Sequence, residues 1–187
     1  MTHKSKIHHE EYLDLVDEYD KPLGKKELRS IVHTQGLWHR IVRVYFYRIV
    51  KGEIQFIVHL RSKGKDRHPN KWDSHFGGHP RAGESIEQSI ENEILEETGL
   101  KIDRKKLITG SVCTRDFFPD RAYAHSYYYK YLDDINNLKF DDGEVQEAKW
   151  MLASEICSAL NNEPEKWAPH YKGFLWILDD IKMKLKE

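Results

Sequence analysis

Only two cysteines occur in the 187 residues, Cys113 and Cys157, far apart and outside any CxxC spacing. That argues against a disulfide framework or a zinc ribbon and fits a reducing compartment. Charge of one sign is lacking too: the formal net charge is −1, so no bias toward nucleic acid or an anionic membrane is expected. No apolar run approaches the ~18 residues of a membrane span. The first residues, Met1 to Glu11, are charged and histidine-rich and lack the apolar stretch of a signal peptide. Within them His3, His8 and His9 read as a disordered tail. Repeats and low-complexity tracts are missing. What remains as the default expectation is a soluble cytoplasmic protein with no membrane partner and no strong nucleic-acid signal. Its length and 39% hydrophobic content suit one compact domain, residues 1–187, better than two.

Residues 12–16 alternate in polarity like a short strand. Asp20 to Gly24 reads as a turn, because proline fixes φ and glycine permits positive φ. A short helix is expected over Lys26–Val32. Residues 39–50 and 54–60 are rich in β-branched and aromatic side chains around Lys51-Gly52-Glu53, which predicts a hairpin. Ser62–Asn70 is polar loop, and Trp72–Phe76 a further short strand. Strand-like segments follow at Lys106–Thr114, Ala122–Leu132 and Gln146–Leu152. Helices are expected over Ser154–Asn161, capped by Ser154, and over His170–Lys184, with Phe174, Leu175, Leu178 and Ile181 facing inward. Many strands with a few helices, not strictly alternating, indicate an α+β fold with a mixed sheet covered by helices.

The most informative segment is Gly77–Leu100, GGHPRAGESIEQSIENEILEETGL. Ser85 and Gln88 have capping-box spacing, in which side chains and backbone satisfy orphan amides reciprocally. Ile86, Ile90 and Ile94 form a buried stripe, and Gly99 suits the position that ends the helix. At about 100° per residue, Glu93, Glu96 and Glu97 share a face at the edge of that stripe. Clustered like charges destabilise a helix, and a hard divalent cation would offset the repulsion. Mg²⁺ takes oxygen ligands and bridges carboxylates to substrate phosphates, where it can polarise a phosphoryl group and activate water.

Read from Gly78, the order Glu84, Asn92-Glu93, Glu96-Glu97 and Gly99 resembles the signature of the Nudix family over about 23 residues. One position departs: Asn92 stands where the family has arginine, and it can donate hydrogen bonds without a charge. The resemblance implies an α/β/α sandwich that hydrolyses a nucleoside diphosphate derivative or another diphosphate. It implies that Glu93, Glu96 and Glu97, with the carbonyl of Gly78, hold Mg²⁺, with Mn²⁺ as a substitute. Residues 77–100 then form the loop–helix–loop box, and residues 1–38 an N-terminal extension with a short hairpin.

A second resemblance narrows the subgroup. Leu15-Val16-Asp17-Glu18, Val32-His33-Thr34, His39-Arg40, Leu60-Arg61-Ser62, Lys65-Asp66, Trp72-Asp73 and Gly78-His79-Pro80 are similar to the isopentenyl-diphosphate isomerase branch of the superfamily, over roughly residues 12–100. It implies that His33, His39 and His79 hold an additional metal or contact the substrate. Those isomerases place a catalytic cysteine where this chain has Gly77. Glycine has no side chain to move a proton, so the isomerase mechanism loses an acid–base partner.

Other candidates lie outside the box. Glu144, after Asp141-Asp142-Gly143, is a second candidate for general base beside Glu97. Glu147 follows in the same pattern. Arg61, Lys65 and Arg81 are candidates for the substrate's phosphates. Tyr127–Tyr129, Trp167 and Tyr171 could stack on a base but are expected mostly to pack the core. The leading expectation is a Nudix pyrophosphohydrolase acting on a small-molecule diphosphate. The alternatives are an isomerase-like enzyme and a non-catalytic nucleotide-sensing domain. A homodimer is a candidate assembly.

Overall fold

The computed structural model describes residues 11–65 and 67–186. His3, His8 and His9 lie outside the described residues. The chain opens with an antiparallel hairpin, β1 (Tyr12–Val16) and β2 (Pro22–Leu28), followed by the helix α1 (Arg29–Gln35). Two expectations shift here. The turn lies earlier than Asp20–Gly24: Asp17 accepts the amides of Tyr19 and Lys21 through Oδ1 at 2.8 and 2.9 Å. This side-chain turn reverses the chain before Pro22. Lys26–Leu28 therefore extend β2 and α1 begins only at Arg29. Pro22 is tolerated because it is the first residue of a sheet-edge strand.

The long strands β3 (His39–Val50) and β4 (Glu53–Arg61) form the expected hairpin across Lys51-Gly52. They pair only from Tyr47 to Val50 against Glu53 to Phe56, and then diverge. Beyond that point β4 pairs with the short β5 (Trp72–Asp73), and from Gln55 to Arg61 it pairs with β8 (Val145–Leu152). Phe76 leaves the strand predicted over Trp72–Phe76 and makes a separate bridge to Val44 of β3. The Val42 amide donates to Gly78 O at 2.9 Å. The Phe76–Gly78 segment is thus held against β3 by backbone bonds, and it carries the start of the glutamate loop. On the other side β3 runs parallel to β7 (Asp120–Lys130), which pairs antiparallel with β6 (Leu107–Phe117). One parallel pair among antiparallel ones makes the sheet mixed, as expected.

Strand alternation divides the core between two faces. Val42, Val44 and Phe46 face the helix α2 (Ile86–Thr98) and pack with Ile57, Phe76, Ile90 and Ile94. Tyr45 and Tyr47 face the helices α3 (Ala153–Asn162) and α4 (Tyr171–Lys184), with Phe56, Ile156, Phe174 and Ile181. Helices on both faces of one sheet make the α/β/α sandwich. Ile90 and Ile94 are fully buried; truncating either to alanine costs about 2–5 kcal/mol at such sites. Tyr128 packs on the α4 side and Tyr127 and Tyr129 on the α2 side, so this run is core.

Two helix expectations are corrected. Ser154 lies inside α3; Leu152 precedes the helix, and its amide donates to Glu155 Oε2 at 2.8 Å. In α4 Ile177 is buried where Leu175 was expected, and Leu175 is half-buried. Asp180 fixes α4 to β6 and β7, accepting from Ser111 Oγ and Tyr128 Oη, both at 2.6 Å. Burial opposes its charge, but these bonds outweigh it and hold the carboxyl below its ordinary pKa. Among the described residues no helix is long and apolar enough to cross a membrane.

Candidate active site

The predicted capping box at the start of α2 is formed. Gln88 N donates to Ser85 Oγ at 3.2 Å, and Ser85 N to Gln88 Oε1 at 2.9 Å. Gly99 ends the helix in the left-handed conformation, φ 67°. With both ends fixed, Glu93 and Glu97 come to lie against the Gly77-Gly78 loop. The amide of Gly77 donates to Glu97 Oε2 at 2.8 Å. Gly78 leaves room for the Glu93 carboxylate: a Cβ added there would lie 2.5 Å from Glu93 Oε1. Glu97 is 7% exposed. Burial raises its pKa well above the carboxylate range; the charges of Glu93 and Glu144 add to that, while Lys65 and the Gly77 amide oppose it. Burial first, then the charge of Glu96, pushes Glu93 up to about 7.

The raised carboxylate pKa values reflect burial and neighbouring like charge, and a nearby cation would favour the ionised form. The carboxylates offer hard oxygen donors, the type Mg²⁺ takes. The Gly78 carbonyl already accepts from Val42 and keeps a second lone pair. The residues present therefore fit a hard divalent ion. Glu96 is exposed and paired with Arg81, whose Nη2 lies 3.0 Å from Oε1 and 3.2 Å from Oε2. Asn92 Nδ2 donates to Glu84 Oε1 at 2.9 Å.

The residues predicted for phosphates all make ionic contacts within the protein. Lys65 Nζ is hydrogen-bonded to Glu144 Oε2 and lies 3.7 Å from Glu97 Oε1. Arg61 reaches Asp73 at 3.4 Å and the carbonyl of Arg67 at 3.0 Å. Glu144 is thereby brought to the same place as Glu97, while Glu147 on β8 is exposed. Two features here escaped the sequence reading. One is the Lys65 link between Glu144 and Glu97. The other is the buried Asp73, which accepts from His75 Nδ1 at 2.8 Å. Burial opposes the Asp73 charge, but His75 and Arg61 hold its carboxyl far below the usual range.

His33, His39 and His79 converge. One ring nitrogen from each lies within 4.8 Å of the others, and His33 Nε2 is 3.1 Å from His79 Nε2. Burial, then the neighbouring His39, lowers His33 to about 4. His39 and His79 are lowered by burial as well. The rings are thus neutral near pH 7, the form that ligates metals. Asp120, at the start of β7, was not anticipated. Its charge acts on His33 and His39, and it pairs with Arg115 and, at 3.3 Å, with Arg67. The signal is topological: parallel pairing sets His39 opposite Ala122, which brings the first residues of β7 to the histidines.

Gly77 adopts φ 133°, and a Cβ there would lie 2.3 Å from the Val42 carbonyl oxygen. This backbone accepts no cysteine.

Comparison with known proteins bears on the family and the fold. A model of the NUDIX domain matches residues 38–176. A Nudix hydrolase of Clostridium acetobutylicum, itself uncharacterised, is 29% identical over 82% of this chain and 76% of its own length. A Photorhabdus laumondii protein named isopentenyl-diphosphate Delta-isomerase 2 is 26% identical over 89% of this chain and 91% of its own. A crystal structure of a Deinococcus radiodurans protein superposes with a TM-score of 0.70 at 22% identity, covering 90% of this chain and 98% of that one, a likeness of fold. With a family match over most of its length and the glutamate loop–helix–loop in place on α2, the chain belongs to the Nudix hydrolase family, and hydrolysis of a diphosphate linkage is the activity this membership implies.

Proposed function

We propose that this protein cleaves the diphosphate linkage of a nucleoside diphosphate derivative or related small organic diphosphate. In this reading Glu93, Glu96 and Glu97, with the Gly78 carbonyl, hold Mg²⁺, and Mn²⁺ can replace it. When bound, the ion polarises the phosphoryl group and lowers the pKa of water. Glu97 or Glu144 takes the proton of the attacking water. The observation that carries the reading is the approach of Glu97 and Glu93 to the Gly77-Gly78 loop, with Glu144 joined to Glu97 through Lys65. A buried carboxylate held by a backbone amide is fixed in direction, which general-base catalysis needs. Arg61, Lys65 and Arg81 are the candidates to turn to the substrate's phosphates. Residues 1–38, with the β1–β2 hairpin, extend a single Nudix domain of residues 1–187. Both cysteines are free, as a reducing cytoplasm keeps them.

The test is a hydrolysis screen of nucleotide sugars, dinucleoside polyphosphates, nucleoside triphosphates and isoprenoid diphosphates with Mg²⁺ and Mn²⁺, read as phosphate release after a coupling phosphatase. Glu97→Gln is expected to lower kcat on any substrate found by at least about 100-fold. Near-normal turnover by that variant would remove Glu97 from the mechanism.

A second reading has one observation in its favour, the neutral three-histidine cluster, together with the name of the Photorhabdus relative. On that reading the histidines hold a second divalent ion and the product is an isomer. Gly77 argues against it. Conversion of isopentenyl diphosphate to its allylic isomer without phosphate release would reverse the ranking.

A further inference from the structure

We propose that Lys65 is a tethered counter-cation: in the metal-free protein its ammonium neutralises the site carboxylates, and a divalent ion must displace it to bind. The inference rests on the metal-site reading above. Lys65 Nζ is hydrogen-bonded to Glu144 Oε2 and lies 3.7 Å from Glu97 Oε1. It therefore joins two carboxylates from distant parts of the chain, one on α2 and one on the loop before β8. Its side chain is only 22% exposed. The arrangement has a backbone frame. Ser62 N donates to Glu144 O at 2.8 Å, and Lys65 N donates to Ser62 O at 3.3 Å. The loop that carries the lysine is thus fastened to the loop that carries its partner.

Among the charges acting on Glu97, that of Lys65 is the largest that favours ionisation. Glu97 is buried beside Glu93 and Glu144, which opposes its ionised form, and the lysine offsets part of this. An ammonium is a compact charge on a flexible four-carbon stem, able to swing without moving the backbone. A divalent ion entering beside Glu97 meets that charge as a repulsion and competes with it for the same oxygens. Released from Glu144 and Glu97, the ammonium would stay at the site on its tethered loop, available to an incoming phosphate. The lysine so exchanges a protein carboxylate for the substrate when the metal arrives, and metal loading and phosphate binding become linked.

Mn²⁺ titration of the full-length protein by calorimetry tests this. Lys65→Met and Lys65→Gln are expected to bind Mn²⁺ at least about fivefold tighter than wild type, since a nearby positive charge is removed from a poorly screened site. Lys65→Arg keeps the charge and should stay within about twofold of wild type, which separates charge from packing. Glu93→Gln serves as the control for the metal site itself. Weaker binding in Glu93→Gln with unchanged or weaker binding in both neutral Lys65 variants, folded by circular dichroism, would overturn the counter-cation role alone. No Mn²⁺ binding by wild type, or none lost in Glu93→Gln, would overturn the metal-site reading and this inference with it.

Discussion

Asn92 donates its side-chain amide to Glu84 across 2.9 Å. Glu84 also accepts the backbone amide of Arg81 at 2.9 Å, so its carboxylate ties the loop of residues 81–84 to α2. At the place where the family pattern has arginine, asparagine thus makes an uncharged hydrogen bond to Glu84. Removing it in Asn92→Ala should cost about 0.5–1.5 kcal/mol, the net value of one such bond, seen in urea denaturation. Asn92→Arg restores an exposed ion pair worth about 0.2–1 kcal/mol. Its kcat should equal or exceed that of wild type. A fall in kcat for Asn92→Arg would show that this loop is fitted to the shorter side chain.

How much of the site could be read in the sequence follows from how local its parts are. The capping box, the isoleucine stripe and the pair Glu93 and Glu97 all lie within one helix and its flanks, so periodicity alone located them, whereas Glu96 is exposed and paired with Arg81 instead of joining them. The histidines were legible through motif, though His33 and His79 meet only because α1 and the Gly78-His79 loop close on the start of β3. Lys65 and Glu144 were each singled out, but their pairing joins two loops 79 residues apart. No local signal carries that. Asp120 was missed for the same reason, since parallel pairing of β3 and β7 sets its position. The error in the first hairpin has another cause. Pro22 and Gly24 are turn formers by preference, yet Asp17 had already made the turn with its own side chain.

His59 gives a pH dependence away from the proposed metal ligands. It is 3% exposed, stacked 4.5 Å from Phe76, and its Nδ1 has no hydrogen-bond partner among the described residues. Burial is the main cause that lowers its pKa from 6.5 to about 3; Asp73 opposes this, and His75, Arg61 and Lys65 add to it. The folded protein keeps the ring neutral while the unfolded chain protonates it. Stability therefore falls as pH drops from 6.5 toward about 3, with a slope of up to one proton, or about 1.4 kcal/mol per pH unit. His59→Gln should flatten the urea midpoint against pH in that window by up to one proton. Other buried histidines keep part of the slope. An unaltered slope in the variant would mean that His59 does not carry this linkage.

Gly78→Ala tests the room kept for Glu93. The nearest atoms the added Cβ would meet are those of the Glu93 carboxylate, at 2.5 to 2.8 Å, and a side-chain end can move aside at small cost. Stability should stay within about 1 kcal/mol of wild type, as for changes that meet no rigid neighbour. The displaced carboxylate should weaken Mn²⁺ binding at least about tenfold, in keeping with loss or misplacement of one ligand. Wild-type Mn²⁺ affinity in this variant would separate Glu93 from the metal.

Gly77→Cys should behave in the opposite way, although the two glycines are adjacent. Here the added Cβ meets backbone: it would lie 2.3 Å from the Val42 carbonyl oxygen and 3.5 Å from Arg43 Cα, on a residue at φ 133°. Neither strand atom can yield without breaking the bond between Val42 N and Gly78 O. Strain of this kind costs about 1–3 kcal/mol for the dihedral alone, so the melting temperature should fall clearly. The Gly77 amide also leaves Glu97, whose carboxylate it holds at 2.8 Å, so hydrolysis should fall with it. Supplying the thiol at this position should therefore not supply isomerase chemistry. Gly77→Cys incubated with isopentenyl diphosphate is expected to give no allylic isomer by NMR. A variant as stable as wild type that does form that isomer would show that the loop can adopt a second backbone conformation, and the case against isomerase chemistry built on Gly77 would fall.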